Sequence, residues 1–264
     1  VKCVLTADGA PGGPLGTFVL DDELFARDRV IQVGERVAAV AADTPEIAEE
    51  ALSLIKVEYQ DLPPLFDPME AMRPGAPLLH HEWESYGSGA FRTISDRNGN
   101  ICGHTEFITG DTEKGFQEAD MVFEDQYTTA MVHQSYIEPH AATAMVDPSG
   151  QVTVWSTTQG QFHLRADLAQ LFDLPLSRVK VIPTEVGGAF GGKIAPLLEP
   201  VCVVLSKASG RPVQVVMSRG EELMAARPRH PAHVRIKTGV KKDGTIIARE
   251  IVTILDCGAY ADFG

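Results

Sequence analysis

Val186-Gly187-Gly188-Ala189-Phe190-Gly191-Gly192-Lys193 is the stretch on which the reading of this chain turns. Four of its eight residues are glycine, it follows a predicted strand, and it leads toward a predicted apolar helix. Glycine lets the backbone take φ > 0 and brings amide N–H groups up to a ligand without interference from Cβ. A helix start behind such a loop would add unpaired donors and the positive end of a dipole. The loop is thus suited to holding something oxygen-rich or anionic. One reading is a nucleotide-binding P-loop, since Gly187 to Lys193 fits G-x-x-x-x-G-K. Against it, residue 194 is Ile, which offers no hydroxyl to Mg²⁺, and Phe190 stands where the loop would wrap a phosphate. A glycine-rich turn that only packs a helix on a sheet is the plainer alternative.

Upstream, Trp155-Ser156-Thr157-Thr158-Gln159 closes a predicted strand, residues 160–172 read as a helix, and residues 177–183 as the next strand. The loop follows, with Phe190 31 positions beyond Gln159 (190 − 159). This order, S-T-x-Q, helix, strand, G-G-x-F-G-G-K, resembles the molybdopterin-binding subunit of the xanthine dehydrogenase/aldehyde oxidase family of molybdenum hydroxylases. Tyr136-Ile137-Glu138-Pro139-His140, Gly210-Arg211-Pro212-Val213 and Arg229-His230-Pro231 add to the likeness. Near the start, Gly34-Glu35-Arg36-Val37-Ala38-Ala39-Val40-Ala41 and Lys56-Val57-Glu58-Tyr59 resemble the family's α/β hammerhead domain. The glycine loop with its upstream glutamine is the specific part, and the likeness covers nearly the whole chain.

The resemblance implies an α/β (α+β) fold: a partial hammerhead domain over residues 1–80, a linker over 81–104, and the N-terminal part of a molybdopterin-binding domain over 105–264. It implies that Gln159, Gly188, Ala189, Phe190, Gly191 and Gly192 bind a molybdenum–molybdopterin cofactor, in simple or cytosine dinucleotide form, with Gln159 and Phe190 beside the metal. A neutral carboxamide suits that place, because it can donate to a metal-bound oxygen without titrating. The family's base is a glutamate in a late glycine-rich motif. No catalytic residue is therefore assigned within this chain, the base is expected beyond Gly264, and the chain alone is expected to be inactive. The reaction implied is hydroxylation of an electron-poor carbon with oxygen from water. Electrons then pass to iron–sulfur clusters and FAD on partner chains or domains. Purine-hydroxylating members carry glutamate after the loop lysine; here that residue is Ile194. The expected substrate is therefore an aldehyde or another N-heteroaromatic, since losing one specific polar contact costs orders of magnitude in discrimination.

Composition narrows the field further. The chain has 264 residues, 44% of them hydrophobic, enough for one large core or two small ones. A formal net charge of −13, with acids spread throughout, would repel a nucleic acid backbone. The apolar runs are too short for a membrane span and no signal peptide stands at Val1, so a cytoplasmic location is expected. Cys3, Cys102, Cys202 and Cys257 are scattered without a C-x-x-C pair, which reads as buried reduced thiols and no iron–sulfur cluster.

For organisation, residues 1 to about 65 read β, loop, β, α, β. Thr44-Pro45 opens the helix, Ala48, Ala51, Leu52 and Ile55 form its apolar face, and Val57-Glu58-Tyr59 is the returning strand. Pro-Pro, Pro-Gly, Gly-Ser-Gly and Asn-Gly-Asn within 62–104 place a domain boundary there. A short helix after Asp111, strands over 121–132, 137–146 and 152–157 as a meander, and a last helix burying Leu197, Leu198, Val201, Val204 and Leu205 follow. Lys241-Lys242-Asp243-Gly244 turns a hairpin between 233–240 and 245–256. Among other candidates, His133, Glu138 and His140 have the wrong strand parity for a metal triad. Arg227, Arg229, His230 and His233 read as a solvated basic loop, and Phe162 and His163 as either cleft lining or core. The remaining alternatives are a nucleotide-binding module and a non-catalytic scaffold of the same fold.

Overall fold

The computed structural model describes residues 1–10, 14–16, 18–87 and 98–261. Part of the Gly-Ser-Gly stretch and the terminal Asp262-Phe263-Gly264 lie outside them. In chain order the strands are β1 (Cys3–Thr6), β2 (Pro14–Leu15), β3 (Asp22–Glu23), β4 (Ala38–Ala41), β5 (Met121–Thr129) and β6 (Ala141–Val146). They continue with β7 (Val152–Ser156), β8 (Val179–Pro183), β9 (Val213–Val216), β10 (Ala232–Val240) and β11 (Ile246–Leu255). The helices are α1 (Pro45–Ser53), α2 (Pro68–Ala71), α3 (Thr112–Glu118), α4 (Gln161–Leu171), α5 (Glu199–Ser209) and α6 (Arg219–Ala225). Mixed helices and sheets agree with the expected α/β (α+β) class.

The sheet that positions the glycine loop has the order β8-β7-β6-β9. β6 and β7 form an antiparallel hairpin, while β7 and β8 run parallel, with Ser156 opposite Pro183. A parallel pair needs a crossover, and α4 supplies it. Val152, Val154 and Ser156 alternate inward along β7. The two valines meet Ala142 and Ala144 of β6, Val179 of β8, Leu164, Leu168 and Ala169 of α4, and Cys202 and Val203 of α5.

The expected meander is not formed. β5 joins a separate antiparallel sheet, β11-β10-β5, because β10 pairs along its whole length with β5 on one side and β11 on the other. β6 starts at Ala141 rather than 137, since Pro139 has no N–H for a ladder and Ile137 is exposed. β5 ends at Thr129, and Val132 makes only an isolated bridge to Arg229.

α1 is capped as expected: Thr44 accepts from the Ile47 N–H and Pro45 stands at N1. Its expected apolar face is only partly covered, with no buried residue, and Leu52 is 49% exposed. The expected strand at Val57–Tyr59 is absent; β1 pairs with β4, and no neighbour among the described residues offers Val57–Tyr59 a ladder. α5 goes the other way. Residues 199–206 are all buried, because Val201, Val204 and Leu205 pack on Ala7, Leu24, Phe25 and Ala41 while Cys202 and Val203 face the four-stranded sheet. A helix apolar on every side belongs between two cores.

Candidate functional site

Parallel strands carry their following segments to the same edge of a sheet, which is where α/β proteins hold ligands. Here the end of β7 leads to Gln159 and the end of β8 to the glycine loop, and the Thr184 N–H donates to the Ser156 carbonyl at 3.0 Å. The two segments are then stitched together. Gln159 N–H donates to the Lys193 carbonyl at 3.0 Å and the Thr158 hydroxyl donates to the same oxygen at 3.2 Å. In return, Gln159 Oε1 accepts from the Gly191 N–H at 3.1 Å and the Lys193 N–H at 3.3 Å. Those two donors fix which end of the carboxamide faces the loop. Its Nε2 has no acceptor among the described residues, and the Phe190 N–H likewise has none. Gln159 thus caps the neighbouring backbone with its oxygen while its nitrogen stays free to donate.

The loop itself is seated on Tyr136 and Glu138, two residues outside the sequence-based site. A Cβ on Gly188, which has φ +100, would come within 2.9 Å of Tyr136 Cβ, and one on Gly192 within 2.9 Å of Tyr136 Cε1. Gly191 also has φ +100 but meets nothing within 4 Å, so its side of the loop is open. Phe190 holds φ +52, uncommon for a residue with a side chain, and is 72% exposed. Ala189 is buried.

Lys193 is 1% exposed and its Nζ lies 2.8 Å from Glu138 Oε2 and 4.8 Å from the centroid of the Tyr136 ring. Glu138 Oε2 also accepts from the Gly187 N–H at 2.8 Å. The lysine charge is therefore spent inside the protein, whereas a P-loop lysine must face phosphate. The expected helix start directly behind the loop is corrected too: α5 begins at Glu199, after residues 194–198. Its own Glu199 carboxylate takes the Leu197 N–H at 2.9 Å and the Ser156 hydroxyl at 2.5 Å.

Beneath Tyr136 lies a buried carboxylate, Glu222 of α6. Tyr136 Oη donates to its Oε1 at 2.5 Å, the His140 N–H to its Oε2 at 2.6 Å, and His140 Nδ1 lies 2.9 Å from Oε1. Burial by itself would raise the Glu222 pKa, but the bonds from His140 and Tyr136 outweigh it and hold the carboxyl at about 2. Burial, then the bond to Glu222, push the Tyr136 hydroxyl far up, so it remains a donor. His133 Nε2 stands 3.5 Å from the same carboxylate. So His133 and His140 turn to Glu222 while Glu138 turns to Lys193, and the three do not converge on one point.

Other sequence candidates are redistributed. Phe162 is 75% exposed and not core. Arg227 is no solvated loop residue: its Nη2 lies 3.5 Å from Asp22 Oδ2 and its carbonyl accepts from Gln134 Nε2. Arg229 bridges to Val132 and His233 lies within β10. Of the cysteines only Cys202 is buried; Cys3, Cys102 and Cys257 are half-buried thiols.

Neutral donors on an open glycine loop, braced by a half-buried ion pair at the carboxyl edge of parallel strands, make an α/β arrangement whose chemistry suits an oxygen-rich group. A family model described as the molybdopterin cofactor-binding domain matches residues 94–264, and one described as the aldehyde oxidase and xanthine dehydrogenase a/b hammerhead domain matches residues 1–63. The chain belongs to the xanthine dehydrogenase/aldehyde oxidase family of molybdopterin-binding proteins. It is 36% identical, over its whole length and 33% of the relative's, to a probable xanthine dehydrogenase component from Bacillus subtilis (strain 168). It is 33% identical, over its whole length and 59% of the relative's, to the nicotinate dehydrogenase large molybdopterin subunit of Eubacterium barkeri. Among solved structures, the reconstituted CO dehydrogenase from Oligotropha carboxidovorans matches with a TM-score of 0.79 and 29% identity, over 95% of this chain and 32% of that one. The chain thus spans between a third and three-fifths of these two curated relatives.

Proposed function

We propose that this chain holds a molybdenum–molybdopterin cofactor through Gln159 and the Gly188–Gly192 loop. The observation that carries the proposal is the pair of donors without acceptors among the described residues, Gln159 Nε2 and the Phe190 N–H, on two segments that the Gln159–Gly191 bond joins where the Gly191 face is open. Metal-bound and phosphate oxygens are acceptors, and these residues fit them without bringing a charge into the site. When bound, the group supplies two-electron redox chemistry. The chain's own residues orient it: the Gln159 carboxamide donates through its nitrogen, Gly191 lets the group approach, and Lys193–Glu138 and Tyr136–Glu222 keep the loop from shifting. We assign residues 1–80 to the hammerhead part, 81–104 to the connection and 105–264 to the cofactor-binding part; the matched ranges, 1–63 and 94–264, support two parts in this order.

In the complete enzyme we assign the activity as hydroxylation of an aldehyde or an N-heteroaromatic carbon with oxygen from water. The reaction is cytoplasmic, and electrons pass to iron–sulfur and flavin partners. No helix among the described residues is long and apolar enough to cross a membrane. Similarity alone does not choose the substrate, because relatives named for xanthine and for nicotinate are 36% and 33% identical to this chain. Ile194 separates them: an apolar side chain offers no hydrogen bond to a purine ring.

The test uses the intact protein produced with cofactor-maturation machinery. Wild type is expected to carry molybdenum and a releasable pterin. Gln159→Glu keeps an acceptor for the Gly191 and Lys193 N–H groups but loses the Nε2 donor, so it should fold normally and lose most of its molybdenum. Gln159→Ala should lose molybdenum and also loosen the loop. Wild type without molybdenum would overturn the cofactor assignment and favour a scaffold role. Efficient xanthine turnover would overturn the substrate assignment alone.

A further inference from the structure

Far from this loop in sequence, two thiols meet. Cys102 lies near the end of the connection between the two halves of the chain and Cys257 follows β11, and their Sγ atoms are 3.5 Å apart although 155 positions separate them. Both thiols line the same cavity, with His80, Trp83, Tyr260 and Ala261 among its walls. His80 Nε2 is 2.6 Å from the Ala259 carbonyl, and Tyr260 Oη donates to Glu35 Oε1 at 2.7 Å. The segment after β11 is thus already tied to the first half of the chain by hydrogen bonds, beside the thiol pair. The other cysteines stand apart: Cys202 is fully buried with its Sγ on the Ala142 carbonyl, and Cys3 Sγ faces the Leu205 carbonyl.

We propose that Cys102 and Cys257 are an oxidative modification site, closing reversibly into a disulfide that staples the connection to the end of β11. A shift of about 1.5 Å brings the sulfurs from contact to bonding distance. The co-reactant is a small disulfide such as oxidised glutathione. One cysteine thiolate attacks it, forming a mixed disulfide and releasing one reduced glutathione. The second cysteine, as thiolate, then attacks the protein sulfur and expels the other glutathione, so two thiol protons and two electrons leave the protein. The neighbouring Cys102 thiol, then burial, push the Cys257 thiol far up, so exchange through it quickens as pH rises.

The intact protein is equilibrated in glutathione buffers of rising oxidation, blocked with N-ethylmaleimide under denaturing conditions and peptide-mapped without reduction. A Cys102–Cys257 linked peptide should rise to dominate at the oxidising end and vanish with dithiothreitol, while Cys3 and Cys202 stay blocked by maleimide. Cys257→Ser should instead accumulate glutathione on Cys102. Should that variant fold poorly, the wild-type titration decides alone. Absence of the linked peptide at full oxidation, or pairing of Cys102 with Cys3 or Cys202, overturns the proposal.

Discussion

At the scale of single residues, the loop depends on atoms that the loop motif does not contain. Glu222 has its ordinary value of 4.5 lowered to about 2. Its ionised form stabilises the fold fully above about pH 4.5, and that stability is lost as pH falls through 2, a loss of about 3 kcal/mol. Urea titrations stepped from pH 5 to pH 2 should show this fall in wild type and little of it in Glu222→Gln. At pH 7 the same variant should be destabilised by about 3–5 kcal/mol, because His140 and Tyr136 lose a buried charged partner. Gly191→Ala and Gly192→Ala separate two causes of strain. The first meets only the left-handed φ and should cost about 1–2 kcal/mol. The second must displace the Tyr136 ring and the Gln134 carboxamide, so thermal unfolding should show the larger loss for Gly192→Ala. Gln159 and Phe190 were legible because they belong to one ordered motif. Glu222 was not: it lies 86 positions beyond Tyr136, on the short helix α6, and only the fold brings them together.

At the scale of elements, local signals locate ends better than faces. The Thr44-Pro45 and Asp111 caps and the Lys241–Gly244 turn are where their chemistry places them, because each is satisfied within a few residues. Strand partners are not legible, since a period of two says which side faces a core but not which strand lies alongside. A meander therefore misplaces 121–129, which pairs in another sheet, and 57–59 joins no ladder at all. The same limit applies to the helices. α5 shows an apolar face in sequence but is buried all round over residues 199–206, while α1 shows a similar face and remains largely uncovered. Leu205→Ala is expected to cost about 2–5 kcal/mol. Leu52→Ala should stay within about 0.5 kcal/mol. Denaturant midpoints of the pair measure the contrast directly.

At the scale of the whole molecule, buried acids shape stability against pH. Asp21 is raised from 3.8 to about 7, chiefly by burial and despite a bond from the Ala261 N–H, and burial raises Asp167 to about 6. Folding therefore favours their protonated forms. That contribution is whole below about pH 4 and is lost as pH climbs through 6 to 7, by about 4 kcal/mol for Asp21 alone. Together with Glu222 these groups place maximal stability near about pH 4 to 5. Asp21→Asn, which keeps an acceptor for Ala261, should flatten the fall between pH 4 and 7 in stepped urea titrations. The sheet of β5, β10 and β11 leaves Met121, Phe123, Tyr127 and Ile251 about half exposed. Lone apolar residues on a surface are ordinary, but a contiguous set invites association. The chain produced by itself should bind a hydrophobic dye and elute as aggregates, and Phe123→Ser with Tyr127→Ser should shift it toward monomer in light scattering.

The position of α5 has a further consequence for how such chains can be cut and recombined. One surface of that helix completes the first-half core, while the other packs into a core drawn wholly from residues 142–203, so the first half alone lacks an interior of its own. Of separately expressed pieces divided between residues 72 and 98, the first should be unstructured by itself and gain native circular dichroism only when mixed with the second. By the same logic, a chimera that swaps the first half for a relative's will fold only if Val201, Val204 and Leu205 travel with it.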